Sequence, residues 1–146
     1  MRVTEAMTFD NYDADPRFGS KKPYRFGSRK QSCGDNIYFR CIGGHAWNQR
    51  DSFHSGFDGT PNLNHVAKDT GVDRVLVSND FIYFGGYGPK FPDELRKFNG
   101  IDVCKSGIGY SCFDQQALIK AFVAWIRTLG DAGYQAAPYE WRSLRG

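Results

Sequence analysis

The sequence predicts an α+β fold: a curved antiparallel β-sheet with one C-terminal amphipathic helix packed on it. Three observations predict this. Short runs rich in aromatic and β-branched residues, such as Tyr38-Phe39, Val75-Leu76-Val77 and Phe81 to Phe84, alternate with Gly, Asn and Asp turn formers. The clearest helical period lies late, where Ala117, Leu118, Ala121, Phe122, Trp125, Ile126 and Leu129 fall on one stripe. Seventeen glycines and a mean hydropathy of −0.54 describe a turn-rich chain, while its 16% aromatic content still supplies a core.

At 146 residues the chain fits one domain over residues 1–130, followed by a tail over 131–146. The net charge of +3 permits contact with a nucleotide or nucleic acid without demanding it. No apolar run approaches the roughly 20 residues that cross a membrane. Glu5 and Asp10 interrupt the N-terminus where a signal peptide would be apolar. A cytoplasmic protein with no membrane partner is the expectation, and its four cysteines then read as reduced thiols.

In chain order, Arg2 to Phe9 alternates in part and reads as a strand. Asn11 to Phe18 is turn-like, because Pro16 pushes Asp15 out of helical geometry. Lys21 to Cys33 is basic, with interspersed aromatics, and reads as a loop or irregular edge. Such a run suits phosphate contact plus base stacking, and equally a solvated loop with its aromatics turned inward. Asp35 to Ile42 is a strand, Gly43-Gly44 a hairpin turn and Ala46 to Arg50 the returning strand. A long polar segment follows, then a strand at Arg74 to Ser78, a turn at Asn79-Asp80 and a strand at Phe81 to Phe84, together suggesting a second hairpin. One helical turn is expected after Pro92, and loop from Ile101 to Tyr110. The late helix takes Asp114 as N-cap and Gly130 as C-cap.

The polar segment, Asp51 to Ser78, concentrates the chemistry. It holds His54 and His65 with Asp58, Asp69 and Asp73, and adds the amide and guanidinium groups of Asn62, Asn64 and Arg74. A turn-rich segment delivered onto a strand is one way to build a site, and a self-satisfied surface loop is the other reading. His54, Asp58, His65 and Asp69 have the composition of an acid–base set. The same residue types bind nucleotides, since Asn and Asp read base edges and Arg or Lys pairs with phosphate. Seven residues separate Cys33 from Cys41, and again Cys104 from Cys112. That spacing invites zinc with His45 or His54, but it lacks the short knuckles of structural zinc sites, and no metal or cofactor is expected. Cys104 beside Lys105 is the best nucleophile candidate. Gly85 to Gly88 and Gly107 to Gly109 match neither phosphate-loop pattern.

Several spaced motifs together resemble the nucleotide modification associated domain 2 family. They are DADPRF, KKP, GDNIYFR, the run of Trp47, Gln49, Asp51, Ser52, His54 and Ser55, then Asp58, Gly59, Pro61 and Asn62, and finally H-DTGVDRVLVS, F-YFGG-GP and DVCKSG. The resemblance spans roughly Arg2 to Leu129. It implies a protein of bacteria or phages linked to nucleic-acid base modification, with a nucleotide-like ligand. It further implies a layout similar to PUA-like and EVE-type β-barrels. Family members carry a further N-terminal portion, so the expectation here is a partial PUA-like β-barrel or a homodimer in which another copy supplies the missing edge. The residues carried over as ligand-binding are Asp35, Asn36, His54, Ser55, Asp58, Asn62, His65, Asp69, Arg74 and Lys105.

Three functions follow as expectations. One is a non-catalytic pocket for a nucleotide, modified base or nucleotide-derived signal, linked to nucleic-acid modification or anti-phage defence. A second is an enzyme acting on a nucleotide or base, with His54 or His65 as acid–base and Asp58 or Asp69 as partner. The third is a protein-binding inhibitor of a host nucleic-acid enzyme. Binding is favoured because no nucleophile, metal or phosphate-loop motif stands out.

Overall fold

The computed structural model describes residues 1–104, 107, 110–130 and 132–138. The chain forms two compact units, Met1–Asp80 and Phe81–Gly146. Helices and strands are both present, so the fold is mixed α and β. The expected single curved sheet is replaced, among the described residues, by three two-stranded sheets that close no barrel.

In the first unit, β1 (Glu5–Met7) pairs antiparallel with β4 (Val75–Val77), placing Glu5 opposite Val77 and Met7 opposite Val75. A bridge between Arg2 and Asp80 extends the pair, reinforced by an Arg2 Nε–Asp80 contact of 2.9 Å. The strand expected at Arg74 to Ser78 is therefore present, but its partner is the N-terminal strand and not Phe81 to Phe84. The second sheet is the expected hairpin: β2 (Tyr38–Arg40) faces β3 (Trp47–Gln49), with Phe39 opposite Asn48.

Four short helices correct the reading of loops. Phe9–Ala14 forms α1 because Thr8 accepts the amide of Asn11 and so caps the first turn. Asp15 then caps a 3-10 helix at Pro16–Lys21, where Pro sits in a first turn that needs no amide donor. Within the basic segment, Ser28 and Gln31 close a capping box over α2 (Arg29–Ser32). In the polar segment, Asn62 takes the amide of His65 and starts α3 (Leu63–Asp69). The core is small: Ile37, Tyr38 and Val66 are buried, and Phe9 and Trp47 pack against them. Phe9 meets Trp47 edge-on at 5.4 Å and Tyr38 at 6.0 Å.

Arginines bind this small core to its surroundings. Arg40 lies over the Trp47 ring at 4.3 Å and bridges Asp10 and Asp73. Arg50 lies over Phe39 at 4.1 Å, reaches Asp13 at 2.7 Å and donates to the Asn36 carbonyl. A guanidinium holding two acids while covering an aromatic face does what a larger apolar core would otherwise do.

In the second unit, β5 (Ile82–Tyr83) runs parallel to β6 (Gly133–Tyr134), with the Tyr83 and Tyr134 rings stacked at 5.2 Å. The turn after β5 needs glycine at Gly85: its φ is +57°, and a Cβ there would stand 2.2 Å from the Ala137 carbonyl oxygen. The helical turn after Pro92 is α4 (Asp93–Arg96). The late amphipathic helix is α5 (Gln116–Arg127), with Gln115 rather than Asp114 in the cap position. Leu118 is its most buried residue, and Phe91 packs on Trp125 and Phe122 at 4.5 and 6.0 Å. The chain leaves the helix through Gly130 at φ +111°. Among the described residues no helix is long and apolar enough to cross a membrane.

Candidate functional site

Between β3 and α3 the chain makes a compact loop, Asp51 to Thr60, that carries its own scaffold. The Ser55 hydroxyl donates to Asp51 at 2.8 Å and accepts the Ser52 amide at 3.0 Å. Asp58 accepts both the amide and the hydroxyl of Thr60. From the basic segment Arg25 reaches in and donates to Asp51 at 2.6 Å and to the carbonyls of Gly56 and Phe57 at 3.0 and 2.8 Å. The Arg25 guanidinium holds the Asp51 carboxyl below its usual range, aided by Ser55 against partial burial. The Thr60 hydrogen bonds do the same for Asp58.

At the centre stands His54. Its amide donates to the Ser52 hydroxyl at 3.2 Å. Its carbonyl accepts from the Gln49 side chain at 3.1 Å and from His65 Nδ1 at 2.9 Å. Its own Nδ1 lies 3.3 Å from Asp69 Oδ2, and the two imidazole rings meet edge-on at 5.4 Å. Asp69 also accepts the Tyr38 hydroxyl at 2.6 Å. Burial, with that hydrogen bond, pushes the Tyr38 hydroxyl up to about 12. Gln49 closes the network, donating to Tyr38 at 3.4 Å and accepting the Asn62 amide at 2.7 Å. The hairpin therefore fixes the first turn of α3 and the histidine loop through one buried amide side chain.

Two cavities open beside this network. One of about 350 Å³ is lined by Arg25, Ser32, Ser52, Phe53, Ser55 and Phe57. The other, about 270 Å³, shares Ser32, Ser52 and Phe53 and extends to Cys33, Asp35 and His54. Phe57 is fully exposed and Phe53 is 70% exposed. Neither phenylalanine was marked by the sequence reading, although each lies within three residues of His54.

Of the residues carried over from the motifs, His54, His65, Asp69 and Asn62 meet in the network, and Ser55 and Asp58 build the adjoining loop. Asp35 lines the second cavity while accepting the Tyr12 hydroxyl at 2.8 Å. Asn36 is 1% exposed, and its amide donates to the Tyr12 carbonyl at 3.3 Å, which makes it part of the frame. Arg74 is exposed beside β4, and its backbone amide bonds the Val72 carbonyl. Lys105 lies outside the described residues. All four cysteines are free, and Cys104 donates its amide to Asp102.

The family profile described as nucleotide modification associated domain 2 matches residues 1–145, essentially the whole chain. The chain belongs to that family. Comparisons with curated proteins and with solved structures give no match. In this nucleotide modification associated domain 2 protein, the motifs GDNIYFR, W-Q-DS-HS, DG-PN and H-DTGVDR are the segments that build the network. Phe39 and Arg40 brace the hairpin, while Tyr38, Gln49, Asp51, Ser52, His54, Asn62 and His65 interlock.

Proposed function

We propose that the protein binds a nucleotide through its base, with the base stacked against Phe53 and Phe57 in the larger cavity. One observation carries this reading. Two exposed phenylalanine rings wall a concave space whose remaining lining is hydroxyls and one arginine. Leaving a phenyl ring in water forgoes roughly 1.5–3 kcal/mol of burial. A stacked base restores part of that, at about 1–3 kcal/mol per base. The larger cavity is also within the range of small-molecule sites, about 300–1,000 Å³.

The polar lining divides the labour. Arg25 already spends donors on Asp51 and on two carbonyls, so it acts as a strut that shapes the wall. The Ser52 and Ser55 hydroxyls stand at the base edge, and the adjoining cavity toward His54 and Asp35 offers room for the sugar and phosphate. A modified base or a nucleotide-derived signal fits the same chemistry, and the family's association with nucleotide modification supports a ligand of this class.

The test is calorimetric titration of the purified chain with a panel of nucleosides, nucleoside monophosphates and short single-stranded oligonucleotides. Saturable binding to base-bearing members, absent with ribose 5-phosphate alone, is expected. Ribose 5-phosphate binding as well as the nucleotides would overturn the base-stacking reading.

A further inference from the structure

His54 and His65 are joined in a way that base binding alone does not call for. His65 donates its Nδ1 proton to a backbone carbonyl at 2.9 Å, so in the neutral ring Nε2 carries the lone pair. His54 sets Nδ1 at 3.3 Å from the Asp69 carboxylate, which balances the positive charge of that ring when it holds two protons. Each ring thus has one nitrogen engaged and the other available, and the rings stand 5.4 Å apart. Tyr38 and Gln49 lock this arrangement from behind. The result is a proton acceptor and a proton donor side by side at the edge of the cavity that His54 lines.

Exposed aromatics extend the stacking surface past a single base. Tyr24 and Phe26 are 59% and 84% exposed and flank Arg25, whose guanidinium ties their loop to the Phe57 carbonyl. Residues 16–34 carry Arg17, Lys21, Lys22, Arg25, Arg29 and Lys30 with no acidic residue among them. Arg17, Lys21, Lys22 and Arg25 are held by Glu5 and Asp15, Asp35, Asp13 and Asp51, while Arg29 and Lys30 are exposed. Exposed rings with cations in the same segment suit a single strand, whose bases stack on the rings. A pair of proton-transfer groups serves RNA in particular, because the strand brings its own nucleophile, the 2′-hydroxyl.

Resting on the base-binding reading above, we infer that His54 and His65 cleave single-stranded RNA beside the stacked base. His65 Nε2 takes the proton of the ribose 2′-hydroxyl, and the 2′-oxygen forms a bond to the adjacent phosphorus. The bond from phosphorus to the 5′-oxygen breaks, its electron pair stays on that oxygen, and His54 Nε2 supplies the proton. The products are a 2′,3′-cyclic phosphate end and a 5′-hydroxyl end, and water returns the rings to their starting protonation. Asp69 and Tyr38 are positioning residues.

The test uses the full chain and a mixed-sequence single-stranded RNA oligonucleotide, with matched DNA and 2′-O-methyl RNA, in the presence of a chelator. Cleavage of the RNA to cyclic phosphate ends is expected, with DNA and 2′-O-methyl RNA bound but intact. His54→Ala and His65→Ala should each slow it by about a hundredfold or more, a loss far larger than any accompanying fall in oligonucleotide affinity, with circular dichroism unchanged. Asp69→Asn should lower the rate while leaving affinity in place. RNA that binds and stays intact overturns this inference and leaves the base-binding reading standing, as does cleavage that survives both histidine substitutions. Failure of every oligonucleotide and nucleotide to bind overturns both.

Discussion

The Asp69 carboxylate takes the Tyr38 hydroxyl at 2.6 Å and faces His54 Nδ1 at 3.3 Å, so one side chain at the end of α3 joins the buried hairpin to the exposed loop. Removing it costs both sides. Asp69→Ala leaves a buried phenol without its strong acceptor, an expected loss of about 1–3 kcal/mol. Asp69→Asn, which keeps an acceptor oxygen, should lose less. Urea unfolding of the two variants beside the parent checks the order.

Tyr38 should also shape alkaline stability. Its folded-state hydroxyl is raised to about 12 from an ordinary value of 10.0, so the folded chain holds that proton more tightly than the unfolded chain. The stabilisation is complete below pH 10 and is lost as pH rises toward 12. The free energy of unfolding measured across that window should fall less steeply in Tyr38→Phe than in the parent.

On the acid side the matching group is Asp13. Burial pushes its carboxyl up, but Lys22 at 2.9 Å and Arg50 at 2.7 Å outweigh that and leave it below its ordinary 3.8. The folded state therefore releases this proton more readily than the unfolded state, and the contribution is present above pH 3.8 and lost as pH falls below it. Asp13→Asn should flatten the acid limb of the stability curve, as read by denaturant midpoints over that range.

Arg25 is expected to act on order more than on charge. Its three acceptors all belong to the Asp51 to Thr60 loop, so Arg25→Ala should release the loop while the hairpin stays folded. Hydrogen exchange should speed up at the loop amides and remain slow in β2 and β3. Nucleotide affinity should fall, since the cavity wall loses its strut.

Much of the frame was legible where side-chain pattern and turn chemistry agree. The hairpin around Gly43-Gly44 and the strand at Val75–Val77 follow from β-forming runs, and α5 follows from its apolar stripe. The missed helices α1, α2 and α3 are short, at six, four and seven residues. Their stability comes from single caps at Thr8, Ser28 and Asn62, which a window seeking sustained period passes over. Partner choice was hidden as well: β4 finds β1 some seventy residues earlier, a pairing that no local turn specifies. Within the site, His54, His65 and Asp69 were legible as chemistry and Asn62 as a motif position. Their junction through Gln49 and Tyr38 depends on how α3 folds back against the hairpin. Nothing in the sequence sets Phe53 and Phe57 apart, and only their exposure beside the cavity singles them out.

The most direct test of base binding compares the parent with Phe53→Ala, Phe57→Ala and the double variant, titrating each with the tightest-binding nucleotide of the panel. Both rings are largely exposed, so unfolding free energies should stay within about 0.5 kcal/mol of the parent. Each single substitution should weaken binding by about tenfold, the equivalent of one lost stacking contact. The double variant should weaken it further. Equal affinity across all four proteins would contradict the account, because the cavity walled by Phe53 and Phe57 would then not be where the base sits.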